Sequence, residues 1–165
     1  MAPSGNKLTV TTPSDREIVM TRILDAPREL VFEAHSSCEH MRHWWGPRRY
    51  EISECEMDFR DGGSWRVVHR ADDGQEFVFS GEFREIVRPD RITWTFGWEG
   101  MPGKASVQTV EFEEHDGKTT LKTTARFDTV EDRDGMLQSG MEEGANESMD
   151  RLEEYLETLH RRRAS

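Results

Sequence analysis

The sequence predicts an α+β domain in which a curved antiparallel sheet is crossed by one long amphipathic helix. Three observations predict it. Apolar and polar residues alternate with period two through most of residues 16–127. Gly- and Pro-containing turns such as Asp61-Gly62-Gly63 and Arg88-Pro89-Asp90 punctuate that stretch. The last third then switches to apolar spacings of three and four. Strands in succession, followed by a helix rather than alternating with helices, give an antiparallel sheet with the helix on one face.

Residues 1–14 are polar and read as a flexible arm, leaving 15–162 as a single domain. A first strand covers about 16–24, where Ile18, Met20 and Arg22 share one parity and Val19, Thr21 and Ile23 the other. Asp25-Ala26-Pro27 starts a helix, Asp25 as cap and Pro27 in a first turn where no donor is lost. Ser36-Ser37 interrupts it, and a second short helix runs from Cys38 to about Trp45, ended by Gly46-Pro47. Tyr50 and Ile52 share a parity that Cys55, Met57 and Phe59 do not, which predicts a bulge near Ser53-Glu54.

Further strands carry Trp65, Val67 and His69, then Phe77, Phe79 and Phe83, then Ile92, Trp94, Phe96 and Trp98. After a loop at 99–104 come two more, about 106–114 and 118–127, for roughly seven strands in all by the strand signals. Thr129-Val130-Glu131-Asp132 offers a capping-box-like start to the final helix. Leu137, Met141, Ala145, Ser148, Met149, Leu152, Leu156 and Leu159 form its apolar stripe. Gly135, Gly140 and Gly144 should leave its first half looser than its second.

Composition narrows the function classes. The 165 residues carry a net charge of −11, which argues against nucleic acid, whose binding needs a basic patch. The basic run His160–Arg163 suits a helix C-terminus. No apolar run approaches the ~20 residues of a membrane span, and MAPSGNKLTV lacks the apolar segment of a secretory signal. Two cysteines are too few for a disulfide framework. The expectation is a soluble cytoplasmic protein with reduced thiols, a monomer or homodimer.

Five stretches, in this order, resemble those of the START-like (SRPBCC) helix-grip superfamily, and within it the family of homologues of the activator of the heat shock protein 90 ATPase. They are Ala26–Phe32 (APRELVF), Trp44–Pro47 (WWGP), Asp61–Trp65 (DGGSW), Gly81–Ile86 (GEFREI), and Gly140–Gly144 (GMEEG) continuing into Ser148–Leu152 (SMDRL). The resemblance implies a helix-grip fold with a deep cavity between the concave sheet and the C-terminal helix, of the kind relatives use for lipids, hormones, polyketides or aromatic compounds. It carries over no catalytic motif and implies no cofactor. Members often have Trp after the Glu-Gly of the long helix, where this chain has Ala145; a missing indole should open space.

The densest chemistry is HSSCEHMRHWWGP, residues 35–47. His35, Cys38, His40 and His43 lack the paired spacings that close a zinc tetrahedron. Cys38 at a helix start has no identifiable orienting Asn or Asp and no oxyanion loop. Paired carboxylates such as Glu142-Glu143 are those of solvated faces, and no catalytic residue is assigned. The expected cavity residues are Trp44, Trp45, Trp65, His69, Phe79, Trp94, Trp98, Met101, Met136, Met141 and Ala145. Trp44, Trp45 and Met101 would gate the mouth, with His69, Gln108, Thr123 and Trp N–H groups supplying polarity. The function expected is binding of a hydrophobic or aromatic small molecule. The alternatives are a protein–protein role as a chaperone ATPase activator in the stress response, or an enzyme of cyclase, aromatase or hydrolase type.

Overall fold

The computed structural model describes residues 7–164. Its elements in order are β1 (Thr9–Thr11), β2 (Glu17–Leu24), α1 (Arg28–Ala34), α2 (Cys38–Met41), β3 (Tyr50–Met57), β4 (Ser64–Ala71), β5 (Glu76–Val87), β6 (Arg91–Trp98), β7 (Ser106–His115), β8 (Lys118–Arg126), α3 (Val130–Gln138) and α4 (Met141–Ala164). The strands form one antiparallel sheet of order β1-β2-β8-β7-β6-β5-β4-β3. This is the predicted helix-grip architecture with eight strands rather than about seven. The extra one, β1, pairs Val10 with Met20 inside the stretch read as a flexible arm; residues 1–6 of that arm lie outside the described residues. Among the described residues no helix is long and apolar enough to cross a membrane.

Local sequence explains most of the joints. The β3–β4 register slips between Ile52 and Glu54, where the parity change predicts a bulge. Ser37 accepts from the His40 N–H to cap α2, and Thr129 accepts from the Asp132 N–H to cap α3. Asp25 does not cap α1: Pro27 occupies the cap position, and the Arg28 N–H donates instead to Glu114 at 2.8 Å.

The predicted single C-terminal helix is two. Gly140 takes φ +84°, the left-handed conformation that ends a helix, so α3 stops at Gln138 and α4 starts separately at Met141. Leu152, Leu156 and Leu159 of α4 are buried with Leu30, Val31 and Phe32 of α1 and with Phe83, Phe112 and Leu121 of the sheet. That cluster is the solid half of the interior.

The cysteines correct the expectation of free thiols. Cys38 at the start of α2 and Cys55 on β3 form a disulfide, with Cα atoms 5.8 Å apart. Nothing in a separation of 17 residues announces that α2 folds back beside β3.

Candidate functional site

Between the concave sheet and α3–α4 lies a cavity of about 400 Å³. Its floor is the inward parity of six strands: Ile18, Met20 and Arg22 of β2, Leu121, Thr123 and Ala125 of β8, Gln108 and Val110 of β7, Trp94 and Phe96 of β6, Phe77 and Phe79 of β5, and His69 of β4. Cross-strand pairing aligns them in rows, with Met20 opposite Thr123, Thr123 opposite Val110, and Trp94 opposite Gln108. The roof is Met136 of α3 and Met141, Gly144, Ala145, Ser148 and Met149 of α4. Small residues there leave unfilled the space that leucines occupy further along the helix.

The side wall is the segment joining α2 to β3, held to α4 by a set of hydrogen bonds. The Ser148 hydroxyl donates to the Trp44 carbonyl at 3.1 Å and accepts from the Gly46 N–H at 3.0 Å. Arg151 donates to the carbonyls of Gly46 at 2.8 Å and His43 at 3.2 Å. Glu147 accepts from the Arg48 N–H, and Arg48 pairs with Glu154. Gly46 is required twice over: its φ is +100°, and a Cβ there would sit 2.4 Å from His69 Cε1.

The latch places two adjacent tryptophans differently. Trp44 is fully buried, donating from Nε1 to the Ala34 carbonyl at 3.0 Å. Trp45 turns into an aromatic cluster, its ring 4.9 Å from His69, 5.8 Å from Phe79 and Phe96, 6.0 Å from Trp65 and 6.4 Å from Trp94. Polar groups on the walls are few. Trp94 Nε1 donates to Gln108 at 3.2 Å. Arg22, 2% exposed, pairs with Asp150 at 2.8 Å and Glu153 at 3.4 Å.

Two histidines on the walls are neutral. Burial pushes His69 down to about 4, helped by the Arg151 charge and opposed by the Trp45 carbonyl. Burial likewise takes His35 to about 4, against the Val31 carbonyl that its Nδ1 meets at 2.8 Å. His40 instead meets the Tyr155 hydroxyl, and His43 stacks on the Tyr155 ring. With Cys38 in the disulfide, the four residues of the His/Cys run do not converge on one point. Among the described residues no group of three or more His, Cys, Asp or Glu is placed to hold a metal ion.

The family model described as Activator of Hsp90 ATPase homolog 1-like protein matches residues 25–157. The chain belongs to this family. Solved members of the same fold include a protein from Rhodobacter sphaeroides (21% identity, TM-score 0.87, covering 92% of this chain and 99% of that one). Another comes from Nitrosomonas europaea (24% identity, TM-score 0.82, covering 90% and 99%). A third, called AHSA1, comes from Silicibacter pomeroyi (24% identity, TM-score 0.74, covering 87% and 99%). At these identities they show the START-like fold alone. No curated protein matches the chain.

Within this Hsp90-activator-homologue fold, the expected cavity residues divide. Trp44, Trp45, His69, Phe79, Trp94, Met136, Met141 and Ala145 lie along the cavity, and Trp65, Trp98 and Met101 do not. Trp65 has the right parity but is buried behind the wall, donating from Nε1 to the Thr95 carbonyl at 3.0 Å. Trp98 sits at the strand end beyond the cavity, 40% exposed and packed on Gly100. Met101 is 50% exposed in the following loop and does not line the cavity. Sequence reasoning does not find Arg22, His35, Tyr50 or the Ser148 latch. Three of these carry a periodic signal: Arg22 shares the parity of Ile18 and Met20, Tyr50 that of Ile52, and Ser148 falls on the apolar stripe of the last helix.

Proposed function

We propose that this protein binds a hydrophobic or aromatic small molecule in the cavity between the sheet and α4. The observation that carries the reading is the cavity itself: about 400 Å³, walled by aromatic and aliphatic side chains with a handful of polar groups among them. Trp45 is the side chain through which binding would be reported, since its ring forms part of the wall and its neighbours Trp44 and Gly46 are held by Ser148.

The test is a titration with prodan, an uncharged naphthyl ketone whose emission shifts to the blue in apolar surroundings. A saturable blue shift at one probe per chain is expected. No response from the folded protein would sink the reading and favour a chaperone-facing role, which the family description suggests and a pull-down with a chaperone of that class would detect. The location we propose is the cytoplasm. Thiol titration of protein taken directly from cells tests the location: reduced Cys38 and Cys55 would fit the cytoplasm, and the bridged pair found in the fold would indicate an oxidising compartment.

A further inference from the structure

The chain carries 33 Asp and Glu against 22 Lys and Arg, yet among the described residues no carboxylate lines the cavity. Its charged lining residues are two arginines, Arg22 and Arg49, and their circumstances are opposite. Arg22 is buried and answered by Asp150 at 2.8 Å and Glu153 at 3.4 Å, so it brings no surplus charge. Arg49 is exposed. Its guanidinium lies over the Tyr50 ring, 5.0 Å from the centroid. Among the described residues no carboxylate comes within ion-pair distance of it.

The acids around Arg49 are already engaged. Glu51 pairs with Arg70 at 2.7 Å. Glu154 pairs with Arg48, and Glu147 accepts from the Arg48 N–H. Arg151 directs its donors at the carbonyls of Gly46 and His43, and its charge is felt at His69 in the wall. Arg48, Arg49 and Arg151 thus face Glu147 and Glu154, three cations against two anions, and the surplus sits on Arg49. The other exposed lining residues are Ser139 and Gly140, where α4 begins. Glu142 and Glu143 occupy the first turn there, so that helix end is already met by negative charge. An anion at the mouth is therefore drawn to the Arg49 side.

Behind Arg49 the wall is a run of rings. Tyr50 stacks 5.9 Å from His69, His69 lies 4.9 Å from Trp45, and Trp45 lies 5.8 Å from Phe96. An apolar body can lie along these rings while a charged group stays at the rim, in contact with water.

We propose that the ligand is a hydrophobic carboxylic acid, its apolar body among these rings and its carboxylate on the Arg49 guanidinium. The planar guanidinium suits a carboxylate, which it can grip with two parallel N–H donors. One surplus charge in a chain of net charge −11 suits a monoanion better than a phosphate group, which carries nearly two charges near neutral pH. This inference rests on the cavity being a ligand site, and prodan, being uncharged, tests that part separately. Three competitors of one shape displace prodan at about pH 7.5: 4-biphenylacetic acid, 4-biphenylacetamide and 2-(4-biphenyl)ethylamine, which are anionic, neutral and cationic. An apolar cavity in an acidic protein would rank the acid last. With Arg49 engaged the acid should rank first, about fivefold tighter than the amide, as befits an ion pair at an exposed rim. In Arg49→Gln the acid should lose that advantage while the amide stays within about twofold of its parent affinity. In Arg49→Glu the acid should fall below the amide and the amine rise above it. The position is exposed, so both variants should fold, which thermal unfolding checks. If the acid binds no tighter than the amide, or Arg49→Gln leaves its advantage intact, the anionic end is wrong and the apolar cavity stands. If neither prodan nor any biphenyl binds, both readings fall.

Discussion

The C-terminal helical segment uses one apolar stripe for two opposite purposes. From Leu152 to Leu159 it fills the concave sheet with leucines and closes a solid core. From Met136 to Met149 the same stripe offers Gly144, Ala145 and Ser148, and the sheet beneath stays uncovered as a cavity. α3, which flanks the cavity, has no buried residue at all. The cavity is therefore made by the size of the side chains rather than by a change of fold, and stability and binding should separate along the helix.

The largest expected effect tests that separation. Leu156→Ala should cost about 3 kcal/mol, because it deletes a buried side chain from a packed cluster. Met141→Ala should cost under about 1 kcal/mol, because that side chain borders the open space of the cavity. Urea unfolding of both variants measures the contrast, and equal losses would break it.

Next comes the latch that joins the two regions. Ser148→Ala leaves the Gly46 N–H and the Trp44 carbonyl unpaired at a buried site, which should cost about 2 kcal/mol. Trp45 should become more mobile at the same time. A red shift in tryptophan emission checks this, and a variant matching the parent in both stability and spectrum would refute the latch.

The pH dependence is a third, smaller test. His35 and His69 titrate near 4 in the fold and near 6.5 when unfolded, so between those values the unfolded chain binds more protons. Stability should be undiminished above pH 6.5 and fall as pH drops toward 4, by on the order of 1 kcal/mol per pH unit for each histidine at the steepest point. His69→Phe should flatten that slope by about half between pH 6.5 and 5. An unchanged slope would place the His69 ring in water.

How much of this is legible in the sequence follows from what period and parity carry. Strand faces are readable because alternation is local, and so is the bulge at Ser53-Glu54, where parity breaks. Parity tells which face a residue takes but not how far along the strand the cavity reaches. Trp94 and Trp98 therefore look alike in the sequence, although one lines the cavity and the other lies on Gly100. Trp65 shares the face of His69 yet is walled off by its neighbours, a matter of tertiary packing. Gly140 reads as loosening a helix, but its left-handed φ, which splits the helix, is a backbone choice that glycine permits and sequence does not dictate. The Cys38–Cys55 bridge and the Ser148 latch join segments distant in sequence, and no local signal encodes such meetings. Arg22 is visible by parity and easily passed over, because a charge on an inward face is unusual.

If small residues on α4 keep a ligand cavity open, filling one of them should close it, and Ala145→Trp does so. An indole grown from Ala145 enters the cavity without touching the leucine core. Prodan emission, excited directly rather than through tryptophan, is titrated against the parent and the variant. The variant should fold, melt no lower than the parent and lose saturable prodan binding. A folded variant that binds prodan as the parent does would contradict this.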